Sequence, residues 1–221
     1  MNASTSDAFE NSLGDCFEVL IRLSAALASR SDEELESVMR VAAECDADDA
    51  IEEVILQSYL FLGYPIALNA MARWRAMSGA NPREHAGVER DTWLERGEEV
   101  CGVVYGGQYA HLRANVRRLH PDLECWMIEE GYGKVLGRPG LSLQERELCI
   151  VAQLVVLDVP RQLHSHLRGA LNVGATESAV ESALRVGLEY AEPRAQEQSR
   201  ETWESVRVRS AESVFIDLSK G

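Results

Sequence analysis

Two residues combine acid–base chemistry with positions that would shelter it from water. His166 lies on a stretch where Leu163, His166, Leu167, Ala170 and Leu171 share one helical face, while His164, Arg168 and Asn172 share another. The His166 imidazole is therefore expected inward and that of His164 outward. Glu147 stands one turn before Val151 and two before Leu154 on a largely apolar stretch, where an unpaired buried carboxylate would be destabilising. Pairing Glu147 with His166 removes that cost. An imidazole, with an ordinary pKa of about 6.5, can give and recover a proton near neutrality, and a carboxylate beside it sets its tautomer and supports its cation. Other arrangements suit the same residues: His166 satisfied in the core by a backbone carbonyl, or Glu147 paired at the surface with Arg146 or Arg168.

Arg138 precedes Pro139-Gly140 and a helix start, a place where a guanidinium and free amides together suit a substrate carboxylate; a solvated turn residue is the alternative. The five cysteines, at 16, 45, 101, 125 and 149, include no CxxC or CxxH spacing. A zinc site or disulfide framework is thus disfavoured, and small buried thiols are expected. Cys149, two residues after Glu147, points away from it on a helix. Trp126 and Tyr132 could wall a pocket, with core packing the preferred reading.

These residues need helices to hold them, and helices are what the sequence offers almost throughout, because apolar residues recur every three or four positions. Ser142-Leu143-Gln144-Glu145 is a capping box that opens a helix from about Leu143 to Leu157. Pro160 suits the first turn of the next, which ends at Gly174. Thr176 caps a third that runs to about Tyr190, and Pro193 opens a fourth that ends near Arg207.

Sliding the chain on itself by 128 residues lays residues 13–67 on 141–195 without gaps. Leu35, Ser37, Arg40 and Ala42 meet Leu163, Ser165, Arg168 and Ala170, and Pro65 meets Pro193. Asp46 stands where Gly174 ends a helix. Two repeats are expected, a degenerate one over residues 9–80 and a complete one over 81–210; chance likeness between two amphipathic stretches is the alternative. The intervening segment, about 82–137, completes the second repeat. It holds one helix from Arg90 through Val104 and another carrying Leu123, Trp126, Met127 and Glu130 before a break at Gly131-Tyr132-Gly133.

Length and composition set the outer bounds. With 221 residues and 46% hydrophobic content the chain can bury a sizeable core. Its 36 acidic against 22 basic residues give a net charge of -14, which repels phosphate backbones and anionic lipid. No nucleic-acid or membrane partner is expected. The apolar runs are far shorter than a bilayer span and Met1 to Glu10 is polar and acidic, so the expected location is cytoplasmic.

The string from Gly131 through Ser142, followed by Glu145-Arg146-Glu147-Leu148, resembles the core of carboxymuconolactone decarboxylases. His166 through Thr176 resembles the family's histidine helix and its terminating glycine, and Arg96-Gly97 to Val104-Tyr105-Gly106 resembles its opening. The resemblance implies an all-α, alkylhydroperoxidase D-like helical bundle with two sequence repeats. It also implies a glutamate and a histidine 19 residues apart, matched here by Glu147 and His166. In the thiol branch a CxxC precedes the histidine; those positions here are Val159 and Gln162, so a disulfide-forming peroxidase route is closed and the decarboxylase branch is favoured.

By the same resemblance His166 is the proton donor to a small cyclic carboxylate such as 4-carboxymuconolactone, Glu147 orients it, and no metal or organic cofactor takes part; Arg138, from its place before the helix start, is the expected substrate-binding residue. The first repeat carries Val19 and Val38 at the matching positions, so it is expected to be structural. It would fill the place of an identical subunit in a homo-oligomer, a trimer or hexamer. An antioxidant protein and a non-catalytic assembly protein are the competing functions.

Overall fold

The computed structural model describes the backbone of residues 4–45, 47–81 and 90–218, and the side chains of residues 16–45, 47–81 and 90–208. Every regular element among them is helical. Four helices open the chain: α1 (Ser4–Ser29), α2 (Asp32–Ala42), α3 (Asp48–Leu62) and α4 (Tyr64–Ser78). A middle group follows, with α5 (Trp93–Tyr105), α6 (Tyr109–Leu119), α7 (Pro121–Trp126) and a π-helical segment (Met127–Leu136). The last four are α8 (Leu143–Val156), α9 (Pro160–Asn172), α10 (Glu177–Tyr190) and α11 (Pro193–Leu218).

Local chemistry sets the boundaries around α8 to α10. The Ser142 hydroxyl accepts from the Glu145 amide at 3.2 Å while the Glu145 carboxylate accepts from the Ser142 amide at 2.7 Å, so two amides without helical partners are satisfied at once. Thr176 caps α10 by accepting from the Ala179 amide at 3.1 Å, and prolines open α9 and α11. Gly174 ends α9 at φ +94°, the left-handed turn that glycine tolerates without strain.

Helix α8 is the axis of the core. Every residue from Arg146 to Val155 is buried, the pattern of a helix surrounded on all sides. It packs on α1, α9 and α10, and the Ser24 hydroxyl of α1 donates to the Cys149 carbonyl at 2.8 Å across that contact.

The first four and last four helices stand in register. The starts of α9, α10 and α11 follow those of α2, α3 and α4 by 128 or 129 residues. Among the described residues two other than glycine have positive φ, Arg30 (+59°) and Asp158 (+52°), and they lie 128 positions apart. Contacts between the two sets are reciprocal as well. Arg146 on α8 donates to Gln57 on α3 at 3.2 Å, and Arg185 on α10 donates to Glu18 on α1 at 3.1 Å; residues 18 and 57 are the positions 128 before 146 and 185. Asp46, expected to match Gly174, lies outside the described residues.

Several expectations are corrected. The Gly131-Tyr132-Gly133 string does not break the chain, since the π-helical segment runs through it. Its glycine is used for close approach. A Cβ on Gly133 would stand 1.9 Å from the Trp93 carbonyl oxygen, and one on Gly97 would stand 2.1 Å from that of Ile128, so α5 and this segment touch backbone to backbone. Trp126 is 56% exposed rather than core, whereas Tyr132 is buried. Helix α6 was not foreseen, and α11 continues to Leu218 instead of ending near Arg207.

Candidate functional site

Helices α8 and α9 bring Glu147 and His166 together. His166 Nδ1 lies 2.8 Å from Glu147 Oε2, and only 9% and 2% of the two side chains is exposed. Gly169 makes the approach possible, because a Cβ there would stand 2.8 Å from Glu147 Oε2 and 2.8 Å from a Val104 methyl. The ring of Phe61, contributed by α3, meets the imidazole edge to face with centroids 5.9 Å apart.

Neutral groups surround the pair. Tyr105 and Tyr132 meet edge to face with ring centroids 6.0 Å apart. Burial first, and the negative charge of Glu147 with it, pushes the Tyr105 phenol up to about 12 and that of fully buried Tyr132 well above its usual value. Burial also pushes the Cys101 thiol up to about 12, against a weaker opposing pull from Arg113. Phenols and thiol therefore keep their protons near neutrality. Cys149 is fully buried and its thiol is likewise raised by burial.

Arg138 has another partner. Its Nε and Nη2 reach the Glu53 carboxylate at 2.9–3.2 Å, and Arg146 Nη2 reaches the same carboxylate at 2.9 Å. Arg146 also donates to the carbonyls of Arg138 and Pro139, so Glu53 fastens the turn before α8 onto α3. The structure thus brings Glu147 and His166 together and sets Arg138 in a separate cluster. Arg146, one of the surface partners considered for Glu147, belongs to Glu53 and Gln57.

A cavity of about 380 Å³ lies between α5, α6 and α9, with Tyr105 in its wall but neither Glu147 nor His166. A larger one of about 530 Å³, between α10 and α11, is lined by none of Glu147, His166, Tyr105, Tyr132 and Arg138. Sharing Tyr105 with the buried network makes the smaller cavity the relevant one. Sequence reasoning missed Phe61 and Tyr105, whose roles depend on contacts between distant segments. It put Arg168 on the outward face with His164 and Asn172 without seeing that α5 and α6 enclose that face.

Among the described residues no three histidine, cysteine or acidic side chains gather as a metal ion would require, and no helix is long and apolar enough to cross a membrane.

Two proteins of known name are similar to this chain in sequence. A protein of Schizosaccharomyces pombe named Peroxisomal protein 2 is 32% identical over 147 residues, which cover 63% of this chain and 67% of that protein. The protein of the same name in Saccharomyces cerevisiae is 30% identical over 165 residues, 62% of this chain and 58% of that one. The match thus spans about two thirds of the first relative and less of the second. A sequence profile of the carboxymuconolactone decarboxylase family matches residues 121–203, the span that holds Arg138, Glu147 and His166. With its helical bundle, its buried glutamate–histidine pair and these matches, the chain belongs to the carboxymuconolactone decarboxylase family.

Proposed function

We propose that the chain is a carbon–carbon lyase that removes carbon dioxide from a small cyclic carboxylate such as 4-carboxymuconolactone, with His166 as proton donor and Glu147 as its orienting partner. The observation that carries the reading is the buried 2.8 Å contact between His166 Nδ1 and Glu147 Oε2. Because Nδ1 faces the carboxylate, Nε2 is the nitrogen left for a reactant.

The carbon–carbon bond to the carboxylate breaks and its electron pair passes into the unsaturated ring system as carbon dioxide leaves. The imidazolium then delivers the Nε2 proton to that carbon, and the neutral imidazole recovers a proton from solvent. Glu147 stabilises the cation before transfer and fixes the ring throughout. A positioned general acid is worth about 10²–10⁴-fold in rate. The reaction as written calls for no metal or organic cofactor.

The first four helices act in this reading as a scaffold. Val19 and Val38 occupy the positions of Glu147 and His166 at the 128-residue register and cannot titrate. We assign to this half the place of an identical subunit, in a chain that assembles as a trimer or hexamer. A thiol-peroxidase reading is disfavoured by Val159 and Gln162 in place of the paired cysteines and by the burial of Cys101 and Cys149.

Carbon dioxide release from 4-carboxymuconolactone by the intact protein and by His166→Ala tests the reading. Release is expected from the first and a loss of about 10²–10⁴-fold in the second; no release from the intact protein sinks it.

A further inference from the structure

Arg168 holds the place on α9 that Arg40 holds on α2, yet the two guanidinium groups have different neighbours. Arg40 pairs with Glu36, one turn before it on the same helix. The residue one turn before Arg168 is His164, and the residue one turn after it is Asn172, where the α2 register has Glu44. Both acidic neighbours of the first arginine are therefore replaced around the second. Among the described residues no carboxylate pairs with Arg168.

Arg168 instead lines the 380 Å³ cavity, together with Tyr105, His111, Asn115, His164 and Asn172. None of the residues lining it is acidic, in a chain whose net charge is -14. A cation-bearing cavity in so acidic a protein is a local reversal of charge, and it selects anions over cations. The volume falls in the range of sites that enclose small organic molecules. Its wall is held in place, since the Asn172 amide donates to the Val104 carbonyl at 2.8 Å. Tyr105 in its wall meets Tyr132 edge to face, and Glu147 lies near enough to both phenols to raise them.

We infer that this cavity is the carboxylate-binding site of the protein, with Arg168 as the principal anion partner, His111 as the second, and a small ring bearing one or two carboxylates as the ligand. The cavity takes over the role that the sequence suggested for Arg138. Identifying the ligand as the reactant rests on the acid–base reading of Glu147 and His166; the binding itself does not.

The probe is phthalate, a planar dicarboxylate without a lactone, added to the full chain while histidine ring signals are followed by NMR. Signals of His111 and His164 are expected to shift, with exposed His120 unmoved. Arg168→Gln should weaken phthalate binding about 10- to 100-fold, the loss of one charge-assisted contact, with Arg168→Lys recovering part of it and Arg138→Gln binding as the parent does. Unshifted signals, or an Arg168→Gln protein that binds phthalate as the parent does, overturn the inference. Carbon dioxide release is read separately. Release without phthalate binding removes the cavity and spares the acid–base pair, whereas binding through Arg168 without release keeps the cavity and removes the decarboxylase reading.

Discussion

The ring of Phe61 stands edge-on to the imidazole of His166, centroids 5.9 Å apart, and so a residue of the third helix shields a histidine of the ninth. Removing the ring should open the imidazole to reagents. Phe61→Ala is expected to raise the rate of His166 modification by diethyl pyrocarbonate several-fold, read by peptide mass spectrometry, with exposed His120 as the internal standard. An unchanged rate would mean that another group does the shielding.

Glu53 sits between two guanidinium groups of unequal exposure, Arg146 at 0% and Arg138 at 27%. Glu53→Gln leaves Arg146 buried without its counter-charge, which is expected to cost about 3–5 kcal/mol. Arg138→Gln removes a partly solvated partner, for which about 1 kcal/mol is expected. Urea unfolding of the two variants should separate them; equal losses would show that the burial of Arg146 is not what matters.

Glycines differ by what they face. At Gly97 and Gly133 an added methyl would run into backbone, so alanine at either position is expected to cost about 3 kcal/mol or more, or to prevent folding. Gly102, also on α5, has nothing within 4 Å of its built Cβ. Gly102→Ala should gain up to about 1 kcal/mol from helix propensity alone. Thermal melts of the set decide the matter, and equal behaviour at all three positions would contradict the backbone contact.

The first of these expectations of contact could not have been read from the sequence, and the reason is physical. Caps and prolines act within a few residues, so the start of α8 at Ser142, the prolines of α9 and α11 and the inward turn of His166 are all legible in one dimension. The pairing of Glu147 with His166 was legible because a carboxylate on an apolar helix needs a partner. Arg138 illustrates the opposite case. Its partner Glu53 lies far away in the chain, and nothing near Arg138 announces it. The glycines at 131 and 133 read as a break because their local signal, backbone freedom, is the same whether the chain turns or two helices touch.

Glu124 offers a test against pH. Arg117 first, and Arg113 with it, hold its carboxyl below the usual carboxylate value, while its side chain is 2% exposed. A lowered folded-state value means that the unfolded chain binds the proton more readily, so the stabilisation is present above the ordinary carboxylate range and is lost as pH falls through the folded value. Glu124→Gln is expected to be less stable than the parent at pH 7 and to converge with it in acid. A stability gap that persists unchanged into acid would rule out the ion pairs as its cause.

The reciprocal grip of Arg146 on Gln57 and Arg185 on Glu18 has a consequence for heredity. In a dimer of identical chains every substitution appears on both sides of the axis, and each must be tolerated twice. On the two-repeat reading proposed above, joining the two sides in one chain uncouples them: position 38 keeps a valine while position 166 carries an imidazole, and Arg40 keeps Glu36 while Arg168 lines a cavity. One side is then free to be selected for holding shape and the other for the proposed acid–base chemistry, a division of labour that perfect symmetry forbids.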